Sequence, residues 1–400
     1  MIKITSKIVT KNSNTIRETC DLRPLVMHLV YSFNVGGLEN GIVNLINRMN
    51  PALFRHIVVS MTECDDVFCR RIQHHDVAFL SLHKAPGNGY KIYPLLYRIF
   101  REYRPTIIHT RNLAALETVV PAFLARIPVR IHSEHGWDIN DPGGTNPYYS
   151  RIRRLYRPFV HHFIALSEQI AHYLERKVKV NPKRLTRIRN GVDTIKFHPN
   201  NGNKRVLIDS PFKDSNLVIM GTVGRLQAVK DQVTLIQAFD EARRISGAAL
   251  NNLRLIIVGD GPLKGEIEKA IATHNLGAYV WLAGERADIP ALLQAFDFFI
   301  LPSRAEGISN TILEAMACGL AVIATNVGGN AELVVEEKTG SLVTAGDAIS
   351  MASVISRITI NASQRQQQGK AARVQAETKF SLDGMVEQYS RLYKSLINQR

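Results

Sequence analysis

The chain has 400 residues and a mass of 44.8 kDa, more than one hydrophobic core usually serves, so two domains of about 150–200 residues each are expected. Its 45% hydrophobic and 21% charged composition is ordinary for a globular chain and argues against a disordered, collagen-like or small disulfide-stapled protein. The net charge of +15 is unevenly placed: residues 1–200 hold 29 basic and 15 acidic side chains, and residues 201–400 hold 21 and 20.

Residues 1–23 read as a basic leader, and the first twenty lack the apolar stretch of a signal peptide. Short apolar runs then alternate with helix-period segments, the pattern of parallel sheets covered by helices. The first series of strands is expected at Leu25–Tyr31, Ile57–Met61, Thr106–His109, Val129–Ser133, Phe163–Leu166 and Leu185–Arg189, with helices at Glu39–Met49, Pro94–Tyr103 and Glu168–Lys177 among them. A stretch rich in Asn, Pro, Gly and Lys follows, and within it residues 196–216 read as a linker between a first domain, 24–195, and a second, 217–380. The second series of strands is Leu217–Val223, Leu253–Val258, Tyr279–Leu282, Phe298–Leu301 and Val322–Ala324. Its helices are Asp231–Ile245, Leu263–Thr273, Pro290–Phe296 and Thr311–Ala317. The chain ends in helices alone, of which 381–400 is expected to pack back on the first domain.

The fold class implied is α/β, with two doubly wound, Rossmann-like domains facing across a cleft. Ligands of such sheets bind outside the carboxyl ends of the strands, so chemistry is sought in the strand-to-helix loops. Cys20, Cys64, Cys69 and Cys318 form no CxxC pair and suit neither a zinc site nor a disulfide framework, which fits a cytoplasmic setting. No run approaches the roughly 18–20 apolar residues of a membrane span.

Three loops carry anion or carboxylate chemistry. After the first strand, Gly36-Gly37 precedes a helix, where close backbone approach and exposed N–H groups favour an anion, although a plain tight turn reads the same way. Gly224-Arg225 with Lys230 joins a later strand to its helix; the planar fork of Arg and the point charge of Lys suit a diphosphate, against ordinary surface solvation. Neither this loop nor Gly259-Asp260-Gly261-Pro262-Leu263-Lys264-Gly265 matches GxGxxG, so a nicotinamide-dependent dehydrogenase is set aside. The third loop, from Glu306 to Glu314 and containing Ile308, Asn310, Thr311 and Leu313, places two carboxylates near a helix start. Vicinal sugar hydroxyls suit such carboxylates; the plainer reading of Glu314 is a helix-start acid favoured by the dipole.

Two glutamates with seven residues between them, preceded by Gly224-Arg225 with Lys230, by Asn190-Gly191-Val192-Asp193 and by Gly36-Gly37-Leu38-Glu39, resemble the retaining GT-B glycosyltransferases of the family 4 type, also called group 1 glycosyl transferases. The resemblance runs from about Pro24 to Tyr393. It implies donor binding by the second domain and acceptor binding by the first. By this likeness Arg225 and Lys230 hold the donor diphosphate, the backbone of Gly36 and Gly37 reaches it, Glu306 contacts the transferred sugar and Glu314 the ribose. Ile308, Asn310 and Thr311 offer N–H groups, and Leu313 lies near the base. His135 matches a histidine near the reacting carbon, which makes His135, Glu306, Arg225 and Lys230 the expected catalytic set. Where many relatives carry His-x-His, this chain reads His109-Thr110-Arg111, so His109 and Arg111 are acceptor-side candidates, Arg111 for an acidic group.

The implied reaction moves a sugar from a UDP- or GDP-sugar to a saccharide or polyprenyl-diphosphate-linked acceptor, in exopolysaccharide, capsule or lipopolysaccharide synthesis. No Asp-x-Asp occurs, and neither metal nor other cofactor is expected, the cations carrying the charge instead. A glycoside hydrolase would need no diphosphate clamp; a sugar-nucleotide epimerase of similar fold and a non-catalytic nucleotide- or carbohydrate-binding protein are the remaining alternatives.

The basic excess includes Arg151, Arg153, Arg154, Arg157, Arg176, Lys177, Lys179, Lys183, Arg184, Arg187 and Arg189. No nucleic-acid motif accompanies them. Tyr148, Tyr149, Tyr156 and Phe159 lie among the first four, a mixture that suits an interfacial helix on an anionic membrane surface, against a solvated helix face.

Overall fold

Side chains alternate across a strand, so a strand apolar at every position needs cover on both faces. Leu25–Val30 is such a strand, buried at all six positions. In the computed structural model, which describes residues 21–87, 89–137, 141, 143–200, 207 and 209–400, it is β1 of a seven-stranded sheet. The others are β2 (Arg55–Ser60), β3 (Ala78–Ser81), β4 (Ile107–Arg111), β5 (Val129–Glu134), β6 (His162–Ala165) and β7 (Leu185–Arg187), all parallel, in the order β3-β2-β1-β4-β5-β6-β7.

One face of this sheet, with Met27, Leu29, Ile57, Val59 and Ile108, packs against Leu96, Phe100, Leu116 and Leu174. The other, with Val26, Ile107, Val129, Ile131 and Ile164, packs against the last helix, Leu382–Asn398. That helix buries Leu382, Met385, Val386, Tyr389, Tyr393 and Leu396, the spacing of one helical face. Arg48, ending the helix Gly37–Arg48, pairs with Asp383 at 2.6 Å and pins its start.

The second sheet holds β8 (Val218–Val223), β9 (Leu253–Val258), β10 (Val280–Gly284), β11 (Phe298–Leu301), β12 (Ala321–Thr325) and β13 (Gly340–Val343), parallel throughout, in the order β10-β9-β8-β11-β12-β13. Both sheets reverse their strand order once, at β1/β4 and at β8/β11. The helix Ala348–Ile360 covers one face through Met351, Ala352, Ile355 and Ile358. β3 and β13 escape the sequence reading because each is a four-residue edge strand, too short to stand out as an apolar run.

The chain divides into two compact units, Met1–Asn190 with Leu382–Arg400, and Gly191–Ser381. The expected linker at 196–216 is corrected: the boundary is at Asn190–Gly191, and the segment that follows it, as far as Phe197, is built into the second unit. Val192 N–H donates to Phe380 O at 2.8 Å, Phe197 is buried, and Arg373 donates to the carbonyls of Thr194 and Phe197. Few apolar residues mark this segment, but a partly buried arginine satisfies its backbone. With these bounds the first unit carries 31 basic and 16 acidic residues and the second carries 19 of each, so the whole charge excess belongs to the first. The leader expected at 1–23 lies largely outside the described residues.

Candidate active site

In the second unit the reversal of strand order places the loop after β8 beside the loop after β11. The first runs from Gly224 to Asp231 before the helix Gln232–Ser246 and hangs on the end of β9, where Gly224 N–H donates to Val258 O at 3.0 Å and Leu226 N–H to Asp260 O at 2.9 Å. Gly259, at φ +136°, permits this approach: a Cβ there would lie 2.0 Å from Gly224 O.

Two ion pairs tie the loops together. Lys230 Nζ lies 2.5 Å from Glu306 Oε1, which also accepts from Ser303 Oγ at 2.6 Å. One residue on, Asp231 in a left-handed conformation accepts from Arg304 Nε at 2.9 Å, and Arg304 N–H donates to Val229 O at 2.8 Å. Lys230 and Glu306, expected separately at the diphosphate and at the sugar, thus meet directly, and Arg225 stands exposed on the same loop.

The backbone of the Glu306 loop is held from behind by Gly328-Gly329. A Cβ at Gly328, φ +55°, would lie 1.9 Å from Glu306 O, and Gly329 N–H donates to Gly307 O at 2.7 Å. Ser309 Oγ then caps the helix Asn310–Ala317 by accepting from Ile312 N–H. Asn310, Thr311 and Glu314 are partly exposed, whereas the Ile308 and Leu313 side chains are buried. What the last two can present is therefore backbone. The positive dipole end of a helix start favours an anion.

In the first unit Gly36, in extended conformation, caps the helix that begins at Gly37, and Asn40 N–H donates to Gly36 O at 2.9 Å. His135 follows β5. Its backbone N–H donates to Asn112 Oδ1 at 2.7 Å, its Nε2 lies 2.8 Å from Ser133 Oγ, and its ring is partly exposed. Burial, and then the charge of Arg111, press its pKa down to about 3. The residue is neutral at physiological pH.

The acceptor-side expectation for His109 and Arg111 is corrected. His109 is 0% exposed and Arg111 3% exposed, so neither side chain is offered to an acceptor. Both point with Ile107 to the face covered by the last helix, where His109 Nδ1 lies 2.7 Å from Tyr393 Oη and Arg111 Nη1 lies 3.1 Å from His28 Nδ1. On the opposite face of β5, Arg153 binds Glu134 through two N–H groups, at 2.5 and 3.2 Å, and His132 Nε2 lies 3.1 Å from the same carboxylate. Burial opposes the Glu134 charge, but these partners outweigh it and hold the carboxyl down at about 2. Arg153 therefore leaves the set of surface cations. Arg154, Arg157 and Arg184 donate to the carbonyls of Lys177, Val178 and His161, which commits part of the basic excess to backbone at a helix end and a strand start.

Sequence reasoning missed Asp231, Ser303, Arg304, Gly328, Gly329, Ser133 and Tyr393. The Gly328-Gly329 pair after β12 carries the same signal as Gly36-Gly37 after β1. Tyr389 and Tyr393, four residues apart on an amphipathic helix, mark a buried aromatic stripe. Among the described residues no group of His, Cys, Asp and Glu is placed to hold a metal ion, and no helix is long and apolar enough to cross a membrane.

Residues 203–375 match the family model of glycosyl transferases group 1, and residues 35–196 match that of glycosyltransferase family 4. The chain is 30% identical over 270 residues, 66% of its length and 69% of the relative's, to the UDP-Gal:alpha-D-GlcNAc-diphosphoundecaprenol alpha-1,3-galactosyltransferase of Escherichia coli. It is 27% identical over 339 residues, 80% of its length and 86% of the relative's, to the N-acetylgalactosamine-N,N'-diacetylbacillosaminyl-diphospho-undecaprenol 4-alpha-N-acetylgalactosaminyltransferase of Campylobacter jejuni. Among solved structures, Anabaena HepE with UDP and glucose superposes with a TM-score of 0.79 at 23% identity, covering 93% of this chain and 100% of that one.

Proposed function

The chain belongs to the group 1, family 4 type glycosyltransferases of GT-B fold, and from that premise we propose that it moves a sugar from UDP, with retention at the anomeric carbon, to a saccharide carried on a lipid diphosphate. The observation that carries the reading is the Lys230–Glu306 pair, with Arg225 on the same loop, at the strand-order reversal of the second sheet. A diphosphate arriving there meets a cation already held in place, and the sugar beyond it meets a carboxylate.

In this reaction the bond between the anomeric carbon and the diphosphate oxygen breaks, and the electron pair leaves on that oxygen. The acceptor hydroxyl oxygen attacks on the same face and gives its proton to the departing oxygen. Arg225 and Lys230 stabilise the charge that develops on the phosphate, so no metal ion is required. Glu306 orients the transferred sugar, Glu314 takes the ribose hydroxyls, and the Ile308–Leu313 backbone supplies N–H donors. The names of the E. coli and C. jejuni relatives, which print undecaprenyl-diphosphate acceptors and alpha linkages, support the acceptor class and the stereochemistry; the UDP of the first supports the donor.

The first unit offers a surface suited to such an acceptor. Tyr97, Phe123, Leu124, Tyr148 and Leu155 are exposed apolar side chains on helices that carry Arg101, Arg151 and Arg154, with Arg126 just past the end of one. Apolar groups among cations suit the headgroup region of an anionic bilayer, with the chain peripheral on the cytoplasmic side.

The test is release of the free nucleotide diphosphate from a panel of UDP- and GDP-sugars, with and without a lipid-diphosphate-linked saccharide, in the presence of a chelator. Release of UDP only when acceptor is present, with an alpha-linked product and no effect of chelator, is expected. Release or epimerised donor without acceptor, a beta product, or a requirement for metal overturns the corresponding part of the reading.

A further inference from the structure

Arg111 is a buried cation surrounded by histidines, and its chemistry fixes where their protons lie. A guanidinium only donates hydrogen bonds, and a neutral imidazole has one donor nitrogen and one acceptor. Burial first, and then the charge of Arg111, hold both His28 and His109 far below the ordinary imidazole range, so both rings are neutral.

Arg111 Nη2 donates to His109 Nδ1 at 3.4 Å, and Tyr393 Oη, 2.7 Å from the same nitrogen, donates to it as well. The proton of His109 is therefore on Nε2. That N–H points at Ser133 Oγ, 3.0 Å away, and the Ser133 hydroxyl in turn donates to His135 Nε2 at 2.8 Å. An accepting Nε2 leaves the proton of His135 on Nδ1. The same logic runs the other way along the face: Arg111 Nη1 donates to His28 Nδ1 at 3.1 Å, and His28 Nε2–H donates to His56 Nδ1 at 3.0 Å.

We infer that Arg111 and Tyr393 are positioning residues that act through His109 and Ser133 to fix His135 as a neutral hydrogen-bond donor, its Nδ1–H directed to a sugar hydroxyl oxygen rather than its ring serving as a base. The functional half rests on the transferase reading of His135. The arrangement of protons does not. It also gives a physical use to the residue that replaces the second histidine of His-x-His, and to the last helix, whose Tyr393 closes the chain of hydrogen bonds from 284 residues away.

The experiment reads both halves separately. Two-bond proton–nitrogen spectra of the full chain labelled with nitrogen-15 histidine, with the His135 signals assigned through His135→Gln, show which nitrogen carries the proton without any substrate. The expected result is a proton on Nδ1 of His135 in the native chain and a mixture of tautomers in Ser133→Ala and Tyr393→Phe. With the best donor and acceptor, Ser133→Ala is expected to lower kcat about tenfold, the scale of a misoriented contact, with KM for the nucleotide sugar changed less than about twofold. Ser133→Thr, which keeps the hydroxyl, restores both readouts. A native His135 protonated on Nε2, or an unchanged tautomer in both variants, overturns the chain of hydrogen bonds. His135→Gln turning over like the native enzyme overturns the functional half alone.

Discussion

Lys230 and Glu306 touch through Nζ and Oε1 at 2.5 Å, although 76 residues separate them. Each ends a loop that leaves one of the two strands flanking the reversal of strand order, and each loop is tied to the other a second time by Arg304 and Asp231. The pair is partly exposed, so its worth to folding is small, about 0–1 kcal/mol. In the proposed reaction its worth is different, because there Glu306 holds the ammonium where the leaving phosphate brings its charge. Lys230→Ala is expected to lower kcat by about a hundredfold to a thousandfold, the loss seen when one preorganised charge-stabilising donor is removed, with little change in unfolding temperature. Turnover and thermal unfolding measured on the same preparation check both halves, and unchanged turnover removes Lys230 from the mechanism.

The glycine behind Glu306 sets the shape of that loop. At φ +55°, with a Cβ that would sit 1.9 Å from Glu306 O, Gly328 has no room for alanine. Gly328→Ala is expected to destabilise the second unit by about 1–3 kcal/mol and to raise KM for the nucleotide sugar, because the carboxylate moves with its backbone. Gly41 is the opposite case: it lies inside the helix Gly37–Arg48 with nothing within 4 Å of its Cβ position. Gly41→Ala should stabilise the chain by about 0.5–1 kcal/mol. Denaturant unfolding ranks the two, and equal effects would contradict the geometry.

The contrast between these residues also shows what sequence can disclose. The loops that hold Arg225, Lys230 and Glu306 were legible because each follows an apolar strand and precedes a helix, and doubly wound sheets bring such loops to one edge. The parallel order of both sheets was legible for the same reason. Gly328 was legible only as half of a Gly-Gly turn, because its partner is a carbonyl from a different loop and the pair by itself does not say which backbone approaches it. Arg111 was misread because an arginine at a strand end looks solvated; the apolar stripe of the last helix, which buries it, lies nearly 300 residues further along. The boundary at Asn190–Gly191 was hidden likewise, since Arg373 satisfies backbone carbonyls across 176 to 179 residues.

Neutral buried histidines give the first unit a defined response to acid. His28, His56, His109 and His135 all have pKa values below their usual 6.5, with His56 and His135 at about 3, burial being the first cause in each. The unfolded chain binds protons at these sites below about pH 6.5 and the folded chain does not, so stability is complete above that pH and falls as pH is lowered. Each fully neutral site adds about 1.4 kcal/mol per pH unit to the slope. Glu134, held at about 2, stays charged through this window and adds loss only in stronger acid. The two tryptophans report on separate units, Trp137 in the first and Trp281 in the second. In Trp281→Phe, the Trp137 signal should lose its unfolding transition progressively between pH 6.5 and 5, and a flat profile would mean these rings are protonated in the fold.

The proposed membrane attachment rests on charge and apolar surface together, and the two can be separated. Arg151 and Leu155 are both exposed, four residues apart on the helix Pro147–Tyr156, and therefore lie on one side of it. The same helix is anchored underneath by Arg153, whose guanidinium is committed to Glu134. Arg151→Ser should weaken binding to vesicles containing anionic lipid by about 1 kcal/mol, roughly fivefold, and that loss should shrink as salt is added. Leu155→Ser should weaken binding by an amount that salt hardly changes, since buried apolar area is not screened. Flotation with anionic and neutral vesicles at two salt concentrations distinguishes these outcomes. Equal binding to both vesicle types by the native chain would show that the charge gathered in the first unit serves the acceptor or the fold and not a bilayer.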